Sequence, residues 1–106
     1  MGTEATVETF PDLVAGGHVL VDFWGPNCAP CVALMPAIEE LETRFGGKLR
    51  LVKVNAPENR QICRDLKVFG LPTYVLFREG AEMERLSGDP SIEDIETALN
   101  QMLGGD

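Results

Sequence analysis

Residues 21–36 read Val-Asp-Phe-Trp-Gly-Pro-Asn-Cys-Ala-Pro-Cys-Val-Ala-Leu-Met-Pro. An apolar, strand-like run gives way through Gly25-Pro26-Asn27 to a helix-like run that opens at Cys28 or Ala29. Cys28 and Cys31 stand at i and i+3 across that junction, and the junction matters more than the spacing. A thiol in the first turn of a helix faces unpaired backbone N–H groups and the positive end of the macrodipole. Both favour the thiolate, which is the nucleophile of disulfide exchange. A second cysteine one turn later is placed to displace whatever the first has attacked. The segment is therefore a candidate dithiol/disulfide switch.

Upstream, His18-Val-Leu-Val-Asp-Phe-Trp24 is nearly continuous in apolar residues and reads as a central strand buried on both faces. Asp22 is its anomaly: a carboxylate there is costly unless it is paired, protonated or functional. Downstream, Leu34, Ile38, Leu41 and Phe45 form one helical stripe, with Glu39, Glu40, Glu42 and Arg44 on a side read as solvated. Pro36 inside this helix removes a hydrogen bond and is expected to kink it, and Gly46-Gly47 supplies the stop. Before the central strand lie a weak strand candidate, Thr3–Val7, and a short helix, Phe10–Val14. After it come a strand over Leu49–Val54 and a helix from about Pro57 to Lys67 with Ile62 and Leu66 inward. A strand at Thr73–Arg78, a Glu79-Gly80 hairpin turn and a more polar edge strand over 81–87 follow. Ser91 with Asp94 marks a helix start, Ile92, Ile95, Leu99 and Met102 its stripe, and Gly104-Gly105-Asp106 should fray. The order is β-α-β-α-β-α-β-β-α, with parallel pairing in the βαβ portion, an antiparallel hairpin at the end and helices on both faces.

The chain has 106 residues, read as one domain over 1–106, and 44% hydrophobic content suffices for a core. Its net charge of −8 argues against a nucleic-acid partner. No stretch approaches the roughly 20 apolar residues that span a bilayer. The N-terminus has neither the basic nor the apolar region of a secretory signal, so no membrane association is expected. Three cysteines is an odd count, which reads as a reducing compartment with a working pair and one spare. Structural zinc would need two more ligands, and only Cys63 and His18 are on hand without paired spacing, so no metal is expected. Cys63 beside the Ile62/Leu66 stripe reads as a small hydrophobe, with regulation by oxidation as the alternative. His18 is read as solvent-facing.

At this point the chain resembles the thioredoxin family across almost its whole length. The resemblance rests on Val21-Asp22-Phe23-Trp24, Cys28-Ala29-Pro30-Cys31, Pro36, Lys53, Gly70-Leu71-Pro72-Thr73 and Gly88, in that order and without insertions. It implies an α/β thioredoxin fold with a central mixed β-sheet of four to five strands and about four helices on both faces. It implies a protein-disulfide reductase working through Cys28 and Cys31, with no bound cofactor. Electrons would come from an NADPH-dependent flavin thioredoxin reductase, and disulfide-containing proteins would be the substrates of a cytoplasmic monomer serving electron transport and cell redox homeostasis. Asp22 would take the Cys31 proton through a water, with Lys53 approaching it as a further catalytic residue; the bland reading, compatible with this one, is a structural aspartate paired with Lys53. The resemblance makes the Leu71–Pro72 bond cis and facing the sulfurs, with Trp24, Asn27, Leu71, Pro72 and Gly88 bordering a substrate groove, although Trp24 also reads as plain core. Ala29 and Pro30 would tune the loop. The family usually carries Trp, Gly and a basic residue where this chain has Asn27, Ala29 and Val32. Those departures keep open a specialised oxidase or isomerase, or a donor to one dedicated partner; a non-catalytic interaction module is a separate alternative, against which the retained cysteines, Asp22, Lys53 and Pro72 weigh.

Overall fold

His18–Trp24 forms a strand, β2, at the centre of a five-stranded sheet in the computed structural model, which describes residues 2–104. The remaining strands are β1 (Thr3–Glu4), β3 (Arg50–Asn55), β4 (Thr73–Arg78) and β5 (Ala81–Ser87), in the order β1-β3-β2-β4-β5. β3 pairs in parallel with both β1 and β2, whereas β2–β4 and β4–β5 are antiparallel. Four α-helices complete the described chain: α1 (Phe10–Leu13), α2 (Ala29–Arg44), α3 (Arg60–Leu66) and α4 (Ile92–Gly104). The element order and the mixed sheet agree with expectation.

The alternation of side chains along β2 divides the core in two. Val19, Val21 and Phe23 pack with Val52, Val54, Val75 and Phe77 against Phe10 of α1 and Ile62 of α3. Leu20 packs with Leu51, Tyr74 and Leu76 against Ile38 and Leu41 of α2 and Ile95, Ala98, Leu99 and Met102 of α4. Asp22 shares the face of Leu20 and so lies in the layer beneath α2. α4 starts on a reciprocal cap: the Asp94 N–H donates to Ser91 Oγ at 3.1 Å and the Ser91 N–H to Asp94 Oδ2 at 3.0 Å.

Several local expectations need correction. β1 is two residues long rather than five. The helix expected from Pro57 to Lys67 divides, because Asn59 leaves helical backbone (φ −136°, ψ 53°) and its side-chain amide donates to the Asn55 carbonyl. A 3₁₀ turn, Ala56–Glu58, precedes α3, which stops where Lys67 turns left-handed at φ 58°. Pro36 lies inside α2, as expected. His18 is half-covered rather than open to solvent. Of the three terminal residues expected to fray, Gly104 is the last residue of α4, and Gly105 and Asp106 lie outside the described residues.

Candidate active site

The chain leaves β2 at Trp24 and turns at once, the Cys28 N–H donating to the Gly25 carbonyl at 3.1 Å. Gly25 is buried, and a Cβ there would come within 3.3 Å of Leu71 Cδ1 and 3.5 Å of Pro57 Cδ. Its lack of a side chain lets the cysteine turn close against the Gly70-Leu71-Pro72 loop, where the Leu71–Pro72 peptide is cis. Cys28 is the N-cap of α2, in extended backbone, and its Sγ accepts the Cys31 N–H at 3.3 Å. Pro30 sits in the first turn, where its missing N–H costs no helical bond. Cys28 and Cys31 form a disulfide with Cα atoms 5.2 Å apart. They differ in access: Cys28 is partly exposed, whereas Cys31 is 1% exposed. The helix end therefore leaves Cys28 partly accessible, its sulfur beside a backbone donor that stabilises negative charge, and keeps Cys31 inside.

Asp22 is fully buried, and neither carboxylate oxygen has a hydrogen-bond partner among the described residues. Burial pushes its pKa up to about 7; the Lys53 charge opposes the shift, and Glu4 and Glu39 add to it. Lys53 and Tyr74 are its register neighbours on β3 and β4. The Asp22–Lys53 ion pair of the bland reading is not what the ammonium makes. Lys53 Nζ donates to Glu39 Oε2 of α2 at 2.9 Å and lies 4.0 Å from Glu4 Oε2 of β1. Burial raises the Glu4 pKa, against the lowering influence of Lys53 and the Trp24 indole. That indole N–H is near the Glu4 carboxyl but falls short of hydrogen-bond geometry.

The residues expected to border a groove separate into two groups. Leu71 and Gly88 line a hollow of about 370 Å³ with Phe69, Gly70, Thr73 and Ser87, and Gly88 takes the left-handed backbone (φ 84°) that suits glycine. Asn27 is exposed on the turn and Pro72 is buried. Trp24 is half-buried and lines a different hollow, formed with Glu4–Glu8, Asn55, Glu58 and Asn59. A larger hollow, about 840 Å³, lies elsewhere, between Gly16–His18 and Gly46–Arg50, and is lined by none of the redox residues.

Four residues matter in ways that the sequence pattern did not foretell. Glu39 and Glu42 were expected on a solvated helix face, yet Glu39 binds Lys53 and Glu42 Oε2 accepts the Leu51 N–H at 2.9 Å. Their spacing, one turn apart on the flank of the apolar stripe, was the available signal. Phe69 is 89% exposed beside Leu71. Arg85 of β5 donates to the Leu66 and Lys67 carbonyls at 2.8 and 3.0 Å, closing the end of α3 that leads into the cis-proline loop. Cys63 packs partly buried against the α1/α3 core, its thiol pKa raised by burial, as a small hydrophobe would be.

The thioredoxin family profile matches residues 2–101. The chain belongs to the thioredoxin family. It is 33% identical over 100 residues to a thioredoxin from Bacillus subtilis, covering 94% of this chain and 96% of that one. A thioredoxin from Peptoclostridium acidaminophilum is 37% identical over 93 residues, with 87% and 84% covered. Among solved structures, a point mutant of a thioredoxin from Halobacterium salinarum superposes with a TM-score of 0.86 at 25% identity, covering 96% of this chain and 90% of that one. As a thioredoxin-family member with its cysteine pair at bonding distance, the chain is a thiol–disulfide oxidoreductase that reduces protein disulfides through Cys28 and Cys31. No helix among the described residues is long and apolar enough to cross a membrane.

Proposed function

We propose that Cys28 is the attacking sulfur, Cys31 the resolving one and Asp22 the group that takes the Cys31 proton. The Cys28 thiolate attacks one sulfur of a substrate disulfide, the substrate S–S bond breaks, and the other substrate sulfur leaves as a thiolate. The Cys31 proton then passes through a water to ionised Asp22, and Cys31 attacks Cys28 Sγ. The mixed disulfide breaks, the second substrate thiolate leaves, and two electrons have moved from the chain to the substrate. The observation that carries this order is the asymmetry of the pair: Cys28 is partly exposed at the N-cap, its Sγ accepting the Cys31 N–H, whereas Cys31 is 1% exposed. Leu71 and Pro72 present an extended backbone to the substrate segment, between Asn27 and Gly88. Trp24 supports the turn from the side facing Glu4. Ala29 and Pro30 restrict the loop between the sulfurs.

Electrons return to the Cys28–Cys31 disulfide from an NADPH-dependent flavin thioredoxin reductase, and the protein works as a cytoplasmic monomer in redox homeostasis. The test is substitution of each cysteine. Cys28→Ser abolishes reduction of insulin, whereas Cys31→Ser accumulates a mixed disulfide with substrate that a small thiol releases. Full turnover by Cys28→Ser would overturn the assignment. A second reading, service to one dedicated partner, draws support from two exposed apolar residues: Val32 (49% exposed), next to Cys31 in sequence, and Phe69 (89% exposed), which lines the hollow of Leu71 and Gly88. Capture by Cys31→Ser of one predominant protein rather than many would favour it.

A further inference from the structure

We propose that Glu39 is a positioning residue of the redox centre: its carboxylate holds the Lys53 ammonium against α2, so that Asp22 stays free to exchange a proton with Cys31 instead of being locked in an ion pair. The inference rests on the reading of Asp22 as proton acceptor and adds the device that keeps it available.

Asp22 and Lys53 are adjacent in the β2–β3 register and share the face beneath α2. An ionised carboxylate buried beside a lysine with 14% side-chain exposure is ordinarily paired with it, because an unpaired buried charge is costly. Here the ammonium goes to Glu39 at 2.9 Å, and both Asp22 oxygens are left without a protein partner among the described residues. Glu39 is about two helical turns beyond Cys31 on the same helix. One element thus carries the resolving sulfur and the carboxylate that competes for the lysine. Charged and titratable groups reach this layer from every neighbouring strand: Glu4 on β1, 4.0 Å from Lys53 Nζ; Lys53 on β3; and Tyr74 on β4, whose hydroxyl pKa is raised by burial and by Asp22. From α2 come Glu39 and Cys31, and Glu58 lies near Glu4. Among them Glu39 alone hydrogen-bonds the ammonium. Its negative charge also adds to the elevation of the Asp22 pKa, in the same direction as withdrawing Lys53.

The test follows the Asp22 carboxyl by carbon NMR titration in the oxidised protein. In Glu39→Gln the Lys53 ammonium turns toward Asp22, and the Asp22 midpoint falls by about one pH unit. Lys53→Met raises the midpoint above the parent. In the Lys53→Met background Glu39→Gln loses more than half of its effect, because Glu39 acts through the lysine. In the reduced enzyme, the pH limb for resolution of the mixed disulfide by Cys31 moves down with the midpoint. An unmoved Asp22 midpoint in Glu39→Gln, or an equal fall with and without Lys53, overturns the positioning role of Glu39 alone. Retention of the pH limb in Asp22→Asn overturns the proton-acceptor reading itself, and with it the catalytic meaning of Glu39.

Discussion

Asp22 couples the redox centre to the stability of the fold. Its pKa is raised from 3.8 to about 7 by burial, so the folded chain holds this proton more tightly than the unfolded chain. The stability it contributes is fully present below its unfolded pKa and is lost as pH rises through about 7. An elevation of that size corresponds to about 4 kcal/mol as an upper bound. Asp22→Asn should therefore stabilise the oxidised protein at pH 8 by a sizeable part of that amount and flatten its stability between pH 5 and 8. Lys53 is not stranded by the change, because Glu39 still holds it. Urea unfolding of parent and variant at both pH values measures the effect; parallel pH profiles would contradict it. On the proposed role of Asp22 as proton acceptor, the same variant should slow resolution of the mixed disulfide and remove its rise through neutral pH, since an acceptor must be ionised to take a proton.

β5 anchors the cis-proline loop through one side chain. Arg85 pairs with Val75 in the β4–β5 register, which directs it to the face that carries α3. There its guanidinium meets the last carbonyls of the helix, where positive charge is favourable, while Glu82 steadies it at 2.8 Å. Arg85→Ala should cost about 1–2 kcal/mol in chemical denaturation. It should also speed amide exchange through residues 67–71 more than in α2 or α4, and Arg85→Lys should restore little, for want of a forked donor. Equal exchange throughout the chain would show that the loop is held by other means. The N-terminus of α4 depends instead on its own cap, and Ser91→Ala should cost about 1 kcal/mol in the same denaturation experiment.

The molecule as a whole gathers its chemistry at one end of the sheet, where β2 finishes and β4 begins. An exposed aromatic at that end carries no load in the core, so Phe69→Ser should leave stability within about 0.5 kcal/mol of the parent. It should raise KM for a protein disulfide several-fold while leaving reduction of a small aromatic disulfide unchanged; an unaltered KM would remove Phe69 from the docking surface. Much of this arrangement was readable in advance. β2, β4 and β5 have the bounds their apolar patterns predict, and Cys28 falls at the helix N-cap, because these features depend on neighbours in the chain. The divided helix near Asn59 was not readable, since one side-chain hydrogen bond to a backbone carbonyl decides it. Neither was the partner of Lys53, since α2 and β3 meet only once the sheet is covered, and a glutamate on a helix flank looks the same whether it meets water or an ammonium. The two-residue strand β1 carries a last consequence. Pairing of Thr3 and Glu4 with Val52 and Lys53 at the sheet's rim brings an extra carboxylate to the lysine of the redox layer. So short a rim strand opens with far less free energy than the core requires. Mild warming or dilute urea, well short of global melting, should peel Glu4 away and lower the acidity midpoint of Asp22 while the disulfide and both cores remain intact.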